Sequence, residues 1–301
     1  MRIAHLSDLH LLDLEGAVPS RLFNKRFTGW VNLKLKRGHH HKPAPVRAAA
    51  AEIERLGVDH VVITGDVSNL SLEREFDRVK DVLEHDLGLA ADRISVVPGN
   101  HDAYTRGAVR AGRFAQWFAP FMKSDLPEIT GATGFPYVRL RGPVAIIGLS
   151  TAVARPPLVA SGELGDEQLA ALGRALAHPE VSRRTVVILQ HHPIHNPPSR
   201  AKTLIEGLVD ADQELALLRH LERGLVLHGH LHRRIHRTVE TVRGTVDAVG
   251  STSASLLHED LDRMAGFNIY TFDESGSLRG VDAMRFDEES STFVEASVPK
   301  H

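Results

Sequence analysis

Cysteine is absent from the 301 residues. Disulfides, thiolate metal sites and cysteine nucleophiles are thereby excluded. An excess of one charge is lacking as well: the formal net charge is −2, so there is no basic coat of the kind that grips nucleic acid without further help, and no specific nucleic-acid binding is expected. No stretch approaches the roughly 20 apolar residues of a spanning helix. The opening Met1-Arg2-Ile3-Ala4-His5-Leu6-Ser7 is too short and polar for the apolar part of a signal peptide, so the expected location is the cytoplasm. No internal repeat is visible. Histidine, in contrast, is plentiful: there are 19, and they fall in clusters.

Short apolar, β-branched runs recur at Arg2–Leu6, His60–Ile63, Ile94–Val97, Val144–Leu149, Thr185–Leu189 and Leu225–Leu227. Between several of them lie stripes of helical period. Val46, Ala49, Ile53 and Leu56 share one face, with Gly57 as the stop. Leu72, Phe76, Val79, Leu83 and Leu87 share another, with Ser71 as the candidate N-cap. Leu169, Leu172 and Leu176 form a third stripe, and Leu215, Leu218 and Leu221 a fourth. Continuous apolar strands alternating with amphipathic helices indicate a layered α/β fold. From Arg234 the pattern changes. Arg234–Glu240, Thr245–Val249 and Phe267–Phe272 read as successive strands, expected to complete a second sheet in antiparallel fashion. The expectation is a two-sheet sandwich flanked by helices, a single domain over residues 1–286. Insertions are expected at about 19–45 and 104–135, and a loose polar tail over 287–301.

Five polar clusters each follow directly on an apolar run: Asp8 with His10, Gly65-Asp66, Gly99-Asn100-His101-Asp102, His191-His192-Pro193, and Gly229-His230-Leu231-His232. In an α/β sheet ligands bind outside the carboxyl ends of the strands, so five such clusters can converge on one place. Singly, an Asp-x-His pair or a Gly-Asp turn means little. Together they supply carboxylate, amide and imidazole groups for two divalent ions and no soft donor, a set that suits Mn, Fe, Zn, Co or Ni.

In order and completeness these clusters resemble the calcineurin-like metallophosphoesterases, whose pattern is D-x-H, G-D, G-N-H-[DE], H and G-H-x-H. The resemblance spans about residues 1–250. It implies a four-layer ββ sandwich with a two-metal centre (Mn, Fe or Zn). Asp8, His10 and His232 would hold one ion, Asn100, His191 and His230 the other, and Asp66 would bridge both. His192 and His228 would be structural or supporting. Two divalent ions against two carboxylates leave a site of about +2, which attracts phosphate and acidifies a bound water. The implied reaction is attack of a metal-bridging hydroxide on the phosphorus of a phosphate ester. His101 would face the leaving group or the phosphoryl oxygens, with Asp102 orienting its imidazole.

Within that family three details lean toward a phosphodiesterase, in the manner of the bacterial cyclic-nucleotide (class III) branch: Asp102 where phosphatases and nucleases usually carry Glu, Asn69 in Gly-Asp-Val-Ser-Asn as a substrate-binding candidate, and the chain length. The segment Arg21–Lys42 departs from compact relatives. It carries seven basic residues and no acidic one, interleaved with Phe23, Phe27, Trp30, Val31, Leu33 and Leu35. It reads either as a solvated flap or as a cationic lid for an anionic substrate or a lipid surface, placing the protein at the membrane periphery. The lid keeps lipid-linked or nucleotide pyrophosphates open as substrates, beside phosphomonoesters. His39, His40 and His41 at its end read as surface loop. A non-catalytic scaffold of this fold is disfavoured by the complete ligand set. Oligomeric state is not legible.

Overall fold

The computed structural model describes residues 1–13 and 40–300. Twelve strands are found among them: β1 (Arg2–Leu6), β2 (His60–Thr64), β3 (Ile94–Val97), β4 (Tyr137–Arg141), β5 (Val144–Gly148), β6 (Thr185–Leu189), β7 (Arg223–His228), β8 (Ile235–Glu240), β9 (Thr245–Gly250), β10 (Gly266–Phe272), β11 (Leu278–Asp287) and β12 (Thr292–Ala296). They form two six-stranded sheets, ordered β12-β11-β10-β1-β2-β3 and β4-β5-β6-β7-β9-β8. The inner strands β1-β2-β3 and β5-β6-β7-β9 run parallel. The outer ones are antiparallel.

The continuous apolar runs are explained by burial on both faces. Along β6, Val187 and Leu189 enter the core between the sheets, while Val186 and Ile188 enter a second core on the outer face. Strand β5 divides the same way, Val144 and Ile146 inward and Ala145 and Ile147 outward. The helix Asp166–Ala177 covers the outer face through Leu169, Leu172 and Ala175. Over the first sheet lie the helices Pro43–Leu56, with Val46, Ala49 and Ile53 inward and Gly57 (φ 60°) as its stop, and Glu73–Asp81, with Phe76 and Val79 inward. This is the α/β four-layer sandwich expected. Each fully buried aliphatic side chain contributes about 1.5–3 kcal/mol, so the strand ends are set on a stiff frame.

Several expectations need correction. The late strands do not share one sheet: β8 and β9 close the second sheet, whereas β10 crosses to the first and pairs antiparallel with β1. Residues 292–296, expected in a loose tail, pair with β11 as an edge strand. Ser71 does not cap the helix that follows, because Leu72 occupies the cap position; its hydroxyl instead donates to the carbonyls of His101 and Asp102 at 2.8 and 2.6 Å. Within residues 104–135, Phe114, Phe118 and Phe121 pack into the central core, where aromatic side chains at helical spacing usually belong, and Trp117 Nε1 donates to Asp77 at 2.7 Å. The basic segment, except for His40–Lys42, lies outside the described residues. No helix among the described residues is long and apolar enough to cross a membrane.

Candidate metal centre

All five clusters sit at the carboxyl ends of β1, β2, β3, β6 and β7, which the topology places at one rim of the sandwich. Hydrogen bonds lock the turns together. Asp8 N and His10 N donate to the carbonyls of Gly65 and Asp66, each at 3.0 Å, and His230 N donates to Asp8 Oδ2 at 3.1 Å. Asp8, His10, Asp66, His230 and His232 all adopt left-handed backbone, with φ between 45° and 67°. Non-glycine residues pay roughly 1–3 kcal/mol each for such conformations and keep them only where the surroundings insist. The motif glycines leave no room for a side chain. A Cβ at Gly99 would fall on Asp66 Oδ1, and one at Gly229 on Ser7 Oγ and Asp8 Oδ2.

Six of the seven expected ligands bring donor atoms within 3.9 Å of another, whereas His230 turns Nε2 to the Glu206 carbonyl at 2.9 Å. His232 Nε2 lies 3.0 Å and His10 Nε2 3.8 Å from Asp8 Oδ1. His10 Nε2 is 3.9 Å from Asp66 Oδ2, and His10 and His232 face each other through Nε2 atoms 3.3 Å apart. On the other side, His191 Nε2 is 3.3 Å from Asp66 Oδ2 and 3.2 Å from Asn100 Oδ1, and the His230 ring is centred 5.2 Å from that of His191. Adjacent donors around an octahedral ion with bonds of about 2.1 Å stand about 3.0 Å apart. Lone-pair atoms converging at 3.0–3.9 Å therefore fit cation coordination, and the donor set of imidazole, carboxylate and amide suits a borderline transition metal.

Charge supports the same conclusion. Burial alone would raise the carboxyls of Asp8 and Asp66, yet both are held well below the usual carboxylate range, Asp8 by His232 and Asp66 by His191 and His101. Burial would lower His191, but Asp66 and then Asp8 push it up to about 9. His230 falls to about 4, chiefly from burial and then from the neighbouring His191. Two buried carboxylates side by side thus make a pocket that favours positive charge.

Of the supporting residues, Asp102 departs from expectation. Asp102 does not orient the imidazole of His101. Its carboxylate accepts from Val67 N (3.2 Å), Ser68 N (2.9 Å), Ser68 Oγ (2.7 Å) and Gly99 N (2.9 Å), and so staples the turn after β2 to the turn after β3. The partner of His101 Nδ1 is the Asn69 carbonyl, at 2.8 Å, and His101 N donates to Asp66 Oδ1 at 2.7 Å. Asn69 Nδ2 donates to the His10 carbonyl at 2.7 Å, and the residue lines the cavity beside His10 and His41. His192 is structural: Nδ1 meets Thr151 Oγ1 at 2.8 Å and Nε2 the Ala160 carbonyl at 2.7 Å. His228 is fully buried, with Nδ1 3.1 Å from the Gly229 carbonyl. The sequence reading missed His41, whose ring is centred 4.7 Å from that of His10 and 5.7 Å from that of His232. The only signal for it was the run of three histidines.

A model of the calcineurin-like phosphoesterase family matches residues 1–234. No curated protein matches the sequence. Among solved structures, the chain is similar to a dimetal phosphatase from Danio rerio, at 16% identity and TM-score 0.57 over 94% of this chain and 95% of that one. It is also similar to a purple acid phosphatase from yellow lupin seeds, at 11% and 0.59 over 98% of this chain and 52% of that one, and to a sulfate thiohydrolase from Thermus thermophilus, at 16% and 0.51 over 98% and 58%. At these identities the likeness is one of fold.

Proposed function

Because the chain belongs to the calcineurin-like phosphoesterase family, and is thereby a metal-dependent phosphoric ester hydrolase, we propose that it cleaves a phosphodiester at the rim built by Asp8, His10, Asp66, Asn100, His191, His230 and His232. The observation that carries this reading is the convergence of buried and half-buried donors from five strand ends at 3.0–3.9 Å, with carboxylates that favour positive charge. Asp8, His10 and His232 would hold one divalent ion, Asn100, His191 and His230 the other, and Asp66 both. The two ions, Mn, Fe or Zn, would supply a net positive site and an acidified water.

The chain's own residues do the positioning. His101 fixes Asp66 through its backbone N–H, and its ring is held from both sides. Nδ1 donates to the Asn69 carbonyl, and the plane stacks on Tyr104 with centroids 5.4 Å apart. With Nδ1 the donor, the doubly protonated ring would pass its Nε2 proton to the departing alkoxide and be left as the neutral Nδ1–H tautomer. Asn100, at the rim beside His191, would also touch the bound ester. The diester preference rests on the Asp102 pattern and the resemblance to small bacterial phosphodiesterases, and 3′,5′-cyclic nucleotides are the first natural diesters to try.

A second reading, hydrolysis of a pyrophosphate, is favoured by one observation. A cavity of about 230 Å³ opens beside His10 and His41, and Lys42 and Arg78 line it, where a second phosphate group would find cations.

The test is steady-state hydrolysis with added Mn²⁺, comparing bis(p-nitrophenyl) phosphate, p-nitrophenyl phosphate, 3′,5′-cAMP and a nucleotide pyrophosphate. Preference for the diester, abolished by chelator, is expected. Activity on the monoester alone would replace the proposal with a phosphatase, and turnover of the pyrophosphate alone would install the second reading. His101→Ala should keep both metals and lower kcat by about 10²–10⁴. Equal loss of metal and activity would remove His101 from the chemistry.

A further inference from the structure

We propose that His41 is an additional metal ligand at the Asp8–His10–His232 end of the site, making that position nitrogen-rich and selective for a borderline transition metal over Mg²⁺. The inference rests on the dinuclear reading above and adds a residue that the family pattern does not contain.

Three observations support it. First, His10, His41 and His232 each offer a ring nitrogen, and the three atoms lie within 4.8 Å of one another. The rings cross at 55°, 64° and 86° rather than stacking. Second, His41 is held in place. Lys42 N donates to the Ser255 carbonyl at 2.9 Å and Leu257 N to the His40 carbonyl at 2.8 Å, a short antiparallel bridge that pins His41 opposite Leu256. Immediately after it, the helix Pro43–Leu56 is anchored in the core by Val46, Ala49 and Ile53. Third, His41 Nδ1 lies 2.8 Å from Ser255 Oγ, and Ser253 Oγ, next but one in the chain, donates to the Asp8 carbonyl at 2.6 Å. A hydrogen bond to one ring nitrogen that fixes tautomer and orientation is the usual companion of coordination through the other. Here it is made by the segment that also holds Asp8.

The chemical consequence is an asymmetric pair. With His41, one end gathers three imidazoles besides Asp8 and the shared Asp66. The other has two imidazoles and the Asn100 amide oxygen. Imidazole favours Zn, Fe, Co and Ni, whereas Mg²⁺ prefers oxygen, so the two positions should differ in both affinity and selectivity.

The experiment is a Co²⁺ titration of the chelator-stripped protein, followed by visible absorption, with Zn²⁺ and Mg²⁺ as competitors. Wild type, His41→Ala, His41→Asn and His40→Ala are compared, and folding is checked by circular dichroism. His41→Asn keeps an amide atom where Nδ1 meets Ser255 and removes the far nitrogen, so it reports on coordination should the alanine variant fail to fold. Expected are two Co²⁺ in wild type and in His40→Ala. In the His41 variants one of the two should bind about 10- to 100-fold more weakly, with an altered d–d band and reduced Zn²⁺-over-Mg²⁺ preference. Two Co²⁺ with unchanged affinities and spectrum in folded His41→Asn would overturn the assignment and leave the dinuclear reading intact. Fewer than two Co²⁺ in wild type would overturn the dinuclear reading itself, and this inference with it.

Discussion

Asp102→Asn separates two accounts of the same carboxylate. In the structure both oxygens are occupied: Oδ1 by the backbone and hydroxyl of Ser68, Oδ2 by Val67 N and Gly99 N. An amide must turn its NH₂ toward one of these pairs. Turned toward Ser68, the hydroxyl can rotate to accept, and one buried N–H loses its acceptor. Turned the other way, two do. The cheaper orientation costs about 1–3 kcal/mol, which lowers the unfolding midpoint by about 2–6 °C at roughly 2 °C per kcal/mol for a chain of this size. Because the staple holds the turn bearing Asp66 against the turn bearing Asn100, Mn²⁺ affinity should fall along with the midpoint. The assays are calorimetry, metal content after gel filtration, and kcat at saturating Mn²⁺, where much of the activity should return. A variant with wild-type midpoint and metal affinity but collapsed kcat would refute the staple. It would reinstate Asp102 as the group that orients His101.

Further outcomes are expected. Asp66→Ala should strip both ions from the purified protein as read by mass spectrometry of metals, and retention of one full equivalent would take Asp66 out of the bridging position. Gly229→Ala places a methyl on Ser7 Oγ and Asp8 Oδ2; an overpacking cost of about 1–3 kcal/mol and weakened binding at the Asp8 end should follow, and a variant indistinguishable from wild type in Co²⁺ titration would show that the turn yields. Glu214 is fully buried behind the His191 turn, its Oε2 3.2 Å from Gln190 Nε2, and burial raises its carboxyl from 4.5 to about 8. The folded state therefore holds a proton that the unfolded chain releases near 4.5. Its contribution to stability is complete below that value and is lost as pH rises through about 8. Midpoints measured from pH 5 to 9 should decline less steeply for Glu214→Gln than for wild type, and parallel slopes would contradict the assignment.

The parts of this molecule legible in its sequence are those governed by local patterns. Strands β2, β3, β5 and β6 announce themselves because both faces are buried, and the helix Pro43–Leu56 through its stripe and the glycine that stops it. The candidate ligands are legible because a polar cluster at the end of an apolar run has few structural uses. What was hidden depends on contacts between distant segments. Strands β11 and β12 are mixed in polarity, since an edge position exposes much of each. The roles of Asp102 and Asn69 depend on how two turns meet, and a motif does not encode which of several N–H groups a carboxylate will take. His41 reaches the centre only because Leu256 pairs with it, more than two hundred residues away in sequence.

The placement of β1 has a consequence for how the protein is made. Asp8 and His10 extend from a strand flanked by β2 on one side and β10 on the other. On the ribosome every candidate ligand through His232 emerges before Gly266 begins the strand that closes the second edge of β1. Until then the nascent chain exposes an unpaired edge next to the candidate ligands, an arrangement open to misregistered pairing. Assembly of the centre is therefore coupled to arrival of the C-terminal strands, and truncations between His232 and Gly266 should yield chains that carry every candidate ligand and no stable site.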